Sequence, residues 1–220
     1  MSELRIALEA GLQALGLELA PAQVDALMQF QELLGKWNKV YNLTAVRDPQ
    51  EMLTHHLLDS LAAVPALRSY RGQMPAHEGR TAMLDVGSGG GLPGVVFSVC
   101  CPQIDVHCVD TVGKKAAFIQ QVAATLRLPN LRGIHSRVEQ LTARYPLISC
   151  RAFASLVDFT TWSSQALQEG GAWMAMKGKH PNDEMAALPD DVRVFHVEPL
   201  EVPGLDAERC IVWLQKSVAD

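Results

Sequence analysis

Residues 84–94 read LDVGSGGGLPG, five glycines in eleven positions, directly behind a short apolar run. A loop with so few side chains lets a ligand approach main-chain N–H groups, and lets the backbone enter conformations that a Cβ would block. A strand before it and a helix after it predict a place at the carboxyl edge of a parallel sheet, where open α/β folds bind ligands. Two glycine registers are available. Gly89, Gly91 and Gly94 have the spacing of a dinucleotide fingerprint but begin two residues beyond the strand's natural end. Gly87, Gly89 and Gly91 give D-x-G-x-G-x-G with Asp85 as the acid. The second pattern suits S-adenosylmethionine, which has no pyrophosphate to cradle and whose cationic methionyl end favours a nearby carboxylate. Asp110, at the tip of the next strand, is placed to accept ribose hydroxyls.

From Thr81 onward the chain alternates strands and helices. Strands are predicted at Ala82–Val86, Val106–Asp110, Leu131–His135, Leu147–Arg151 and Ala172–Met176, with helices near 93–100, 113–126 and 155–168. Ser155 and Asp158 open the last helix as a capping pair. VRVFHVEPL and ERCIVWLQK read as a closing hairpin, so the expectation is an α/β, Rossmann-like, mostly parallel seven-stranded sheet with a C-terminal antiparallel hairpin.

Residues 1–80 read as a helical extension and 81–220 as the domain it joins, in one integrated globular unit. Val24, Leu27, Met28, Leu34, Trp37 and Tyr41 recur at helical spacing behind Pro21, which favours Trp37 and Tyr41 as core residues over the alternative that they stack an unpaired base. DPQE at 48–51 offers Asp48 as N-cap, Pro49 at N1 and Glu51 at N3. After it Met52, Leu53, His56, Leu57, Ser60, Leu61 and Val64 form one apolar stripe. SYRGQMPAHEGR at 69–80 lacks periodicity and is predicted to be a linker.

Glu3, Arg5 and Glu9 do not fit a signal peptide, and no apolar run approaches the length needed to cross a membrane. Five cysteines without Cys-x-x-Cys spacing, two of them adjacent, predict small buried residues in a reducing compartment, and so the cytoplasm. No metal site is expected. His55 and His56 point about 100° apart on a helix and read as structural, with His55 spaced i,i+4 from Asp59. A net charge of −5 does not advertise a nucleic-acid binder, so any such role must rest on local basic clusters.

Later segments narrow the choice between registers. HSRVEQL follows the third strand and puts Glu139 where an adenine edge could lie, and CRAF brings Arg151 and Phe153 to the mouth of the site. No Tyr-x-x-x-Lys constellation follows the loop, which counts against a nicotinamide oxidoreductase. Taken together, KWNKVYNLTAVRDPQEMLTHHLLDSL, LDVGSGGGLPG, SRVE, CRAFASL and MKGKHP resemble the bacterial small-subunit rRNA guanine-N7 methyltransferases, the family once called glucose-inhibited division protein B. The first segment is the most specific, because the generic fold has no use for it. Cys150 departs from the family's usual serine and leaves the arginine assignment intact.

The resemblance implies a class I S-adenosylmethionine-dependent methyltransferase acting on N7 of a guanine in the decoding region of 16S rRNA. It implies the small ribosomal subunit as partner, with no membrane and no protein partner evident. By motif it carries cofactor contacts onto Gly87, Leu92, Val138, Glu139 and Arg151. Lys36, Lys39, Arg47, Arg137, Lys177 and Lys179 could form the basic rim an RNA needs, and Lys114 and Lys115 either extend it or begin a solvated helix. Phe153 is the candidate to stack an extracted base, with Arg151 beside it. A cofactor-binding regulator of cell division is the rival from another class, and methylation of another RNA atom the rival within this one.

Overall fold

The computed structural model describes residues 2–73 and 80–217. Seven strands form one sheet in the order β3-β2-β1-β4-β5-β7-β6. They are β1 (Thr81–Val86), β2 (Ile104–Asp110), β3 (Leu131–His135), β4 (Tyr145–Arg151), β5 (Leu167–Lys177), β6 (Val192–Leu200) and β7 (Arg209–Lys216). β1 to β5 pair in parallel, while β7 runs antiparallel between β5 and the edge strand β6. The expected seven-stranded sheet with its terminal hairpin is present, and its strands begin up to five residues earlier than the apolar runs alone suggested. Chain order reverses direction between β1 and β4. That reversal opens a crevice at their carboxyl ends.

Both faces of the sheet are buried, as a parallel sheet requires. Met83, Met174, Met176, Ile211 and Trp213 point to one face; Leu84, Val86, Trp173, Ala175 and Val212 point to the other. On the first face lie α6 (Gly94–Cys100) and α7 (Gly113–Thr125), joined in one core by α1 (Glu3–Ala14) and α2 (Pro21–Tyr41). The second face is covered by α8 (Leu156–Ser163), whose N-cap Ser155 accepts from the Asp158 amide at 3.0 Å. The short α9 (Asn182–Ala186) follows β5.

Asp48 caps α3 (Pro49–Met52), accepting from the amides of Gln50 and Glu51. The chain then passes through a π-helical turn, Leu53–Leu58, into α4 (Asp59–Leu61). The predicted stripe is buried along its whole length, and the π turn rotates Leu58 and Asp59 inward as well. The segment between α2 and α3 is tied by side chains. Asn42 ends α2 in the left-handed conformation, the Asn38 carboxamide accepts from Thr44 N and donates to Val46 O, and Gln31 donates to Pro49 O. The most distinctive stretch of the sequence is therefore a laced corner.

Two expectations need correction. α5 (Val64–Gln73) runs through the first five residues of the proposed linker, because Tyr70 stacks on Trp213 of β7 with ring centroids 4.8 Å apart. That tertiary contact outweighs Gly72, and residues 74–79 lie outside the described residues. Trp37 does pack against core Phe118, at 5.3 Å, but Tyr41 is 38% exposed, with Lys114 Nζ 5.9 Å from its ring centroid. All five cysteines are buried and free.

Candidate active site

A cavity of about 450 Å³ opens at the carboxyl ends of β1 to β4. Gly87, Asp110, Val138, Glu139, Phe153 and Trp162 are among the residues lining it. Gly87 has φ +66°, and a Cβ there would lie 2.0 Å from the Phe153 ring. The absent side chain is what lets that ring cover the turn. Phe153 in turn meets Trp162 edge-on, with centroids 5.8 Å apart. Asp110 is buried at the tip of β2. One of its oxygens accepts from Gly89 N at 3.1 Å and the other from Val112 N at 2.8 Å, with Lys115 Nζ 3.7 Å away. Val138 is buried and Glu139 exposed on the turn after β3.

Other residues of the loop lie behind the cavity wall. Gly91 leaves room for Val95, whose Cγ2 would be 2.6 Å from a Cβ; Leu92 is 5% exposed; and neither they nor Gly89 line the cavity. Asp85 corrects the sequence reading most sharply. It is wholly buried beneath the loop, where Gly94 N and Ser149 Oγ donate to its two oxygens at 3.1 and 2.9 Å. Burial pushes its carboxyl up to about 7, against the pull of those two donors. It props the start of α6 and is not in the cavity lining.

Arg151 lines a neighbouring cavity of about 430 Å³, bounded by His56, Asp59, Met176 and Arg209 among others. The two cavities share Ala152, which has φ +49° although it is not glycine. This strained turn sends Arg151 to one side and Phe153 to the other. Arg151 Nη1 donates to Asp59 Oδ2 at 2.6 Å and to His55 O at 2.9 Å, while Arg209 Nε donates to Asp59 Oδ1 at 2.7 Å. Asp59 thus pairs with two arginines and not with His55, which is exposed. His56 is buried with its Nε2 2.7 Å from Thr44 Oγ1; burial first, then Arg151, lowers its pKa to about 4, so it is neutral at pH 7.

A family model described as rRNA small subunit methyltransferase G matches residues 23–212. The chain belongs to that family. A ribosomal RNA small subunit methyltransferase G of Acidovorax sp. (strain JS42) is 68% identical over 212 residues, 95% of this chain and 94% of that protein. Among solved structures, a SAM dependent methyltransferase from Aquifex aeolicus aligns with a TM-score of 0.53 at 15% identity, covering 84% of this chain and 97% of its own. A second, from Geobacter sulfurreducens in complex with S-adenosyl-L-homocysteine, gives 0.51 at 12%, covering 86% and 98%. These likenesses establish the class I methyltransferase fold.

In this member of the methyltransferase G family the six basic residues do not form one cluster. Lys36, Lys39 and Arg47 are exposed around a groove of about 540 Å³ beside α2, Arg137 lines the first cavity, and Lys179 is exposed after β5. Lys177 is committed inside, donating to Glu184 at 2.7 Å and to Ala154 O at 2.8 Å, with 13% of its side chain exposed. Sequence reasoning missed Arg209 and Trp162, and placed Asp59 only as a neighbour of His55 on one helix, without its arginine partners. Trp162 carried a signal, since it is an aromatic off the buried stripe of α8 and 40% exposed. The pairing of Asp59 with Arg209 carried none, its members being 150 positions apart.

Proposed function

We propose that this chain methylates N7 of a guanine in 16S rRNA of the small ribosomal subunit, in the cytoplasm, using S-adenosylmethionine. The proposal treats residues 1–80 as a helical extension working as one unit with the catalytic domain, 81–220. The observation that carries it is the first cavity. At the switch point of a class I methyltransferase sheet, it brings together a glycine turn, a strand-tip carboxylate and the Val138–Glu139 turn. Its size is within the range of small-ligand sites, and its lining sets the buried Asp110 carboxylate and the Val138–Glu139 turn beside Gly87, so the residues present fit the cofactor.

Asp110 would hold the ribose hydroxyls, Val138 and Glu139 the adenine, and Gly87 the methionyl end, with Gly89, Gly91 and Leu92 shaping the loop from behind. When bound, the cofactor supplies an electrophilic methyl group on a sulfonium. Guanine N7 offers an in-plane lone pair and carries no proton at neutral pH, so no residue here has to act as a general base. The protein's work is to position the base and exclude water. Phe153 and Trp162 form an aromatic wall that can stack a base drawn from its helix, a step costing a few kcal/mol. Lys36, Lys39, Arg47, Arg137 and Lys179 would meet RNA phosphates.

Nucleoside mass spectrometry of 16S rRNA from cells with and without the gene tests the proposal. Loss of one 7-methylguanosine on deletion, restored by the gene, is the expected result; unchanged 7-methylguanosine would overturn it.

A further inference from the structure

The second cavity, behind Arg151, is lined by none of Gly87, Asp110, Val138 and Glu139. We infer that the edge of the target guanine opposite N7 is read there, by Asp59, while N7 and the stacked ring stay on the Phe153 side of Ala152. This rests on the guanine-methylation proposal above. Donor and acceptor atoms must come within roughly 3–3.5 Å of each other for transfer. The acceptor therefore needs a space that meets the cofactor cavity, and the cavity behind Arg151 shares Ala152 with it.

The chemistry of the wall selects the base. Asp59 lines the cavity with 4% of its side chain exposed, and each carboxylate oxygen takes one guanidinium hydrogen bond. A carboxylate offers about four acceptor positions, so each oxygen keeps one in reserve. Guanine presents adjacent donors, N1–H and the N2 amino group, on the edge across the ring from N7. A carboxylate accepts both, and doing so leaves N7 pointing away from Asp59. Adenine presents a lone pair at N1, which Asp59 would repel, and inosine lacks the N2 amino group. Arg151 and Arg209 hold the carboxylate in place, and neutral His56 adds no competing charge.

The same contact favours the reaction. Methylation at N7 makes the ring cationic and N1–H a stronger donor, so the hydrogen bond to Asp59 strengthens as the new bond forms. An interaction that grows toward the transition state accelerates the step and does more than bind substrate.

The test is a titration of the protein saturated with S-adenosylhomocysteine, using guanosine, inosine and adenosine monophosphates and inorganic phosphate, followed by the Arg209 Nε–H resonance. Guanosine monophosphate should bind roughly tenfold more tightly than the other two nucleotides and shift that resonance, with phosphate failing to displace it. Asp59→Asn should erase the ranking and slow single-turnover methylation of unmodified small subunits by roughly a hundredfold, while S-adenosylhomocysteine affinity stays within a few-fold. Equal affinities, no guanosine monophosphate binding, or displacement by phosphate would overturn the inference, the last by making the cavity a phosphate site. Should Asp59→Asn not fold, the parent's ranking and the Arg209 resonance decide. A parent that binds no S-adenosylhomocysteine, or leaves N7 unmodified, brings down the methylation proposal itself. A parent that methylates while a folded Asp59→Asn keeps pace brings down the base-reading site alone.

Discussion

On one side of Ala152 the cavity wall is made of strand tips and backbone turns, each from a short contiguous motif. On the other it is made of long side chains that meet across the fold, with Asp59 pairing 92 residues ahead to Arg151 and 150 ahead to Arg209. The first kind of wall tolerates little change, because a bare backbone has no rotamer to give. The second is held by ion pairs whose members can be altered singly while the sheet stands. The difference suits the two ligands proposed: one cofactor common to a whole fold class, and one base that must be told from three others.

Gly87→Val strikes the backbone-made wall and should have the largest effect. A Cβ 2.0 Å from Phe153, at φ +66°, must displace the ring or the turn. Calorimetry should show S-adenosylmethionine affinity reduced by well over tenfold, since an L side chain there costs ~1–2 kcal/mol in backbone strain and the clash with the ring adds to it. The circular dichroism spectrum should persist. Unchanged affinity would take the glycine turn out of the cofactor site.

The same contrast explains what could be read in advance. Strand β1, its glycine turn, Asp110 and Glu139 were legible because each lies within a few residues of a strand end, and alternation places strand ends at one edge, whereas Val138 came from the family resemblance alone. Asp85 was misjudged for a local reason: the residue one before the last of a parallel strand points into a helix-covered face, so a carboxylate there is buried against α6. The extension of α5 and the pairing of Asp59 depended on partners in β7, which no local pattern reveals.

Asp85 offers the second test of what supports the first wall. Its folded-state pKa of about 7 stands above the ordinary value of 3.8, so between those limits the native state binds more protons than the unfolded chain. Stability contributed by this group therefore falls as pH rises from about 4 to 7, and its full cost is present above. Asp85→Asn removes the titration, so its stability relative to the parent should increase by on the order of 2 kcal/mol from pH 5 to pH 8 in urea unfolding. A difference independent of pH would mean an ionised Asp85. A tenfold loss of cofactor affinity in that variant would return it to the site as a ligand.

Phe153 stands at the junction, and Phe153→Ala should slow single-turnover methylation by roughly tenfold, the worth of one base–aromatic stack. The rate should be flat from about pH 6 to 9 in parent and variant alike, because N7 gives up no proton. A log-linear rise with pH, abolished by replacing one ionisable residue, would point to an acceptor atom that does carry a proton.

The smallest effects belong to the basic residues, and they separate free charges from committed ones. Lys36, Lys39 and Arg47 are exposed beside α2, whereas Lys177 is held by Glu184 and the Ala154 carbonyl. Each freed phosphate contact removes about 0.7–0.9 from the slope of log affinity against log salt. Replacing Lys36, Lys39 and Arg47 together with alanine should therefore lower the slope for small-subunit binding by roughly 2 to 3, and Lys179→Ala by up to about 1. Lys177→Ala should leave the slope where it was and lower the melting temperature, because Glu184 loses its cation and the Ala154 carbonyl loses a donor. Cofactor affinity should hold in all of these, since none lines the first cavity. A slope that fell only with Lys177→Ala would mean that RNA draws this lysine out of its pair, and would place the phosphate track over β5, away from α2.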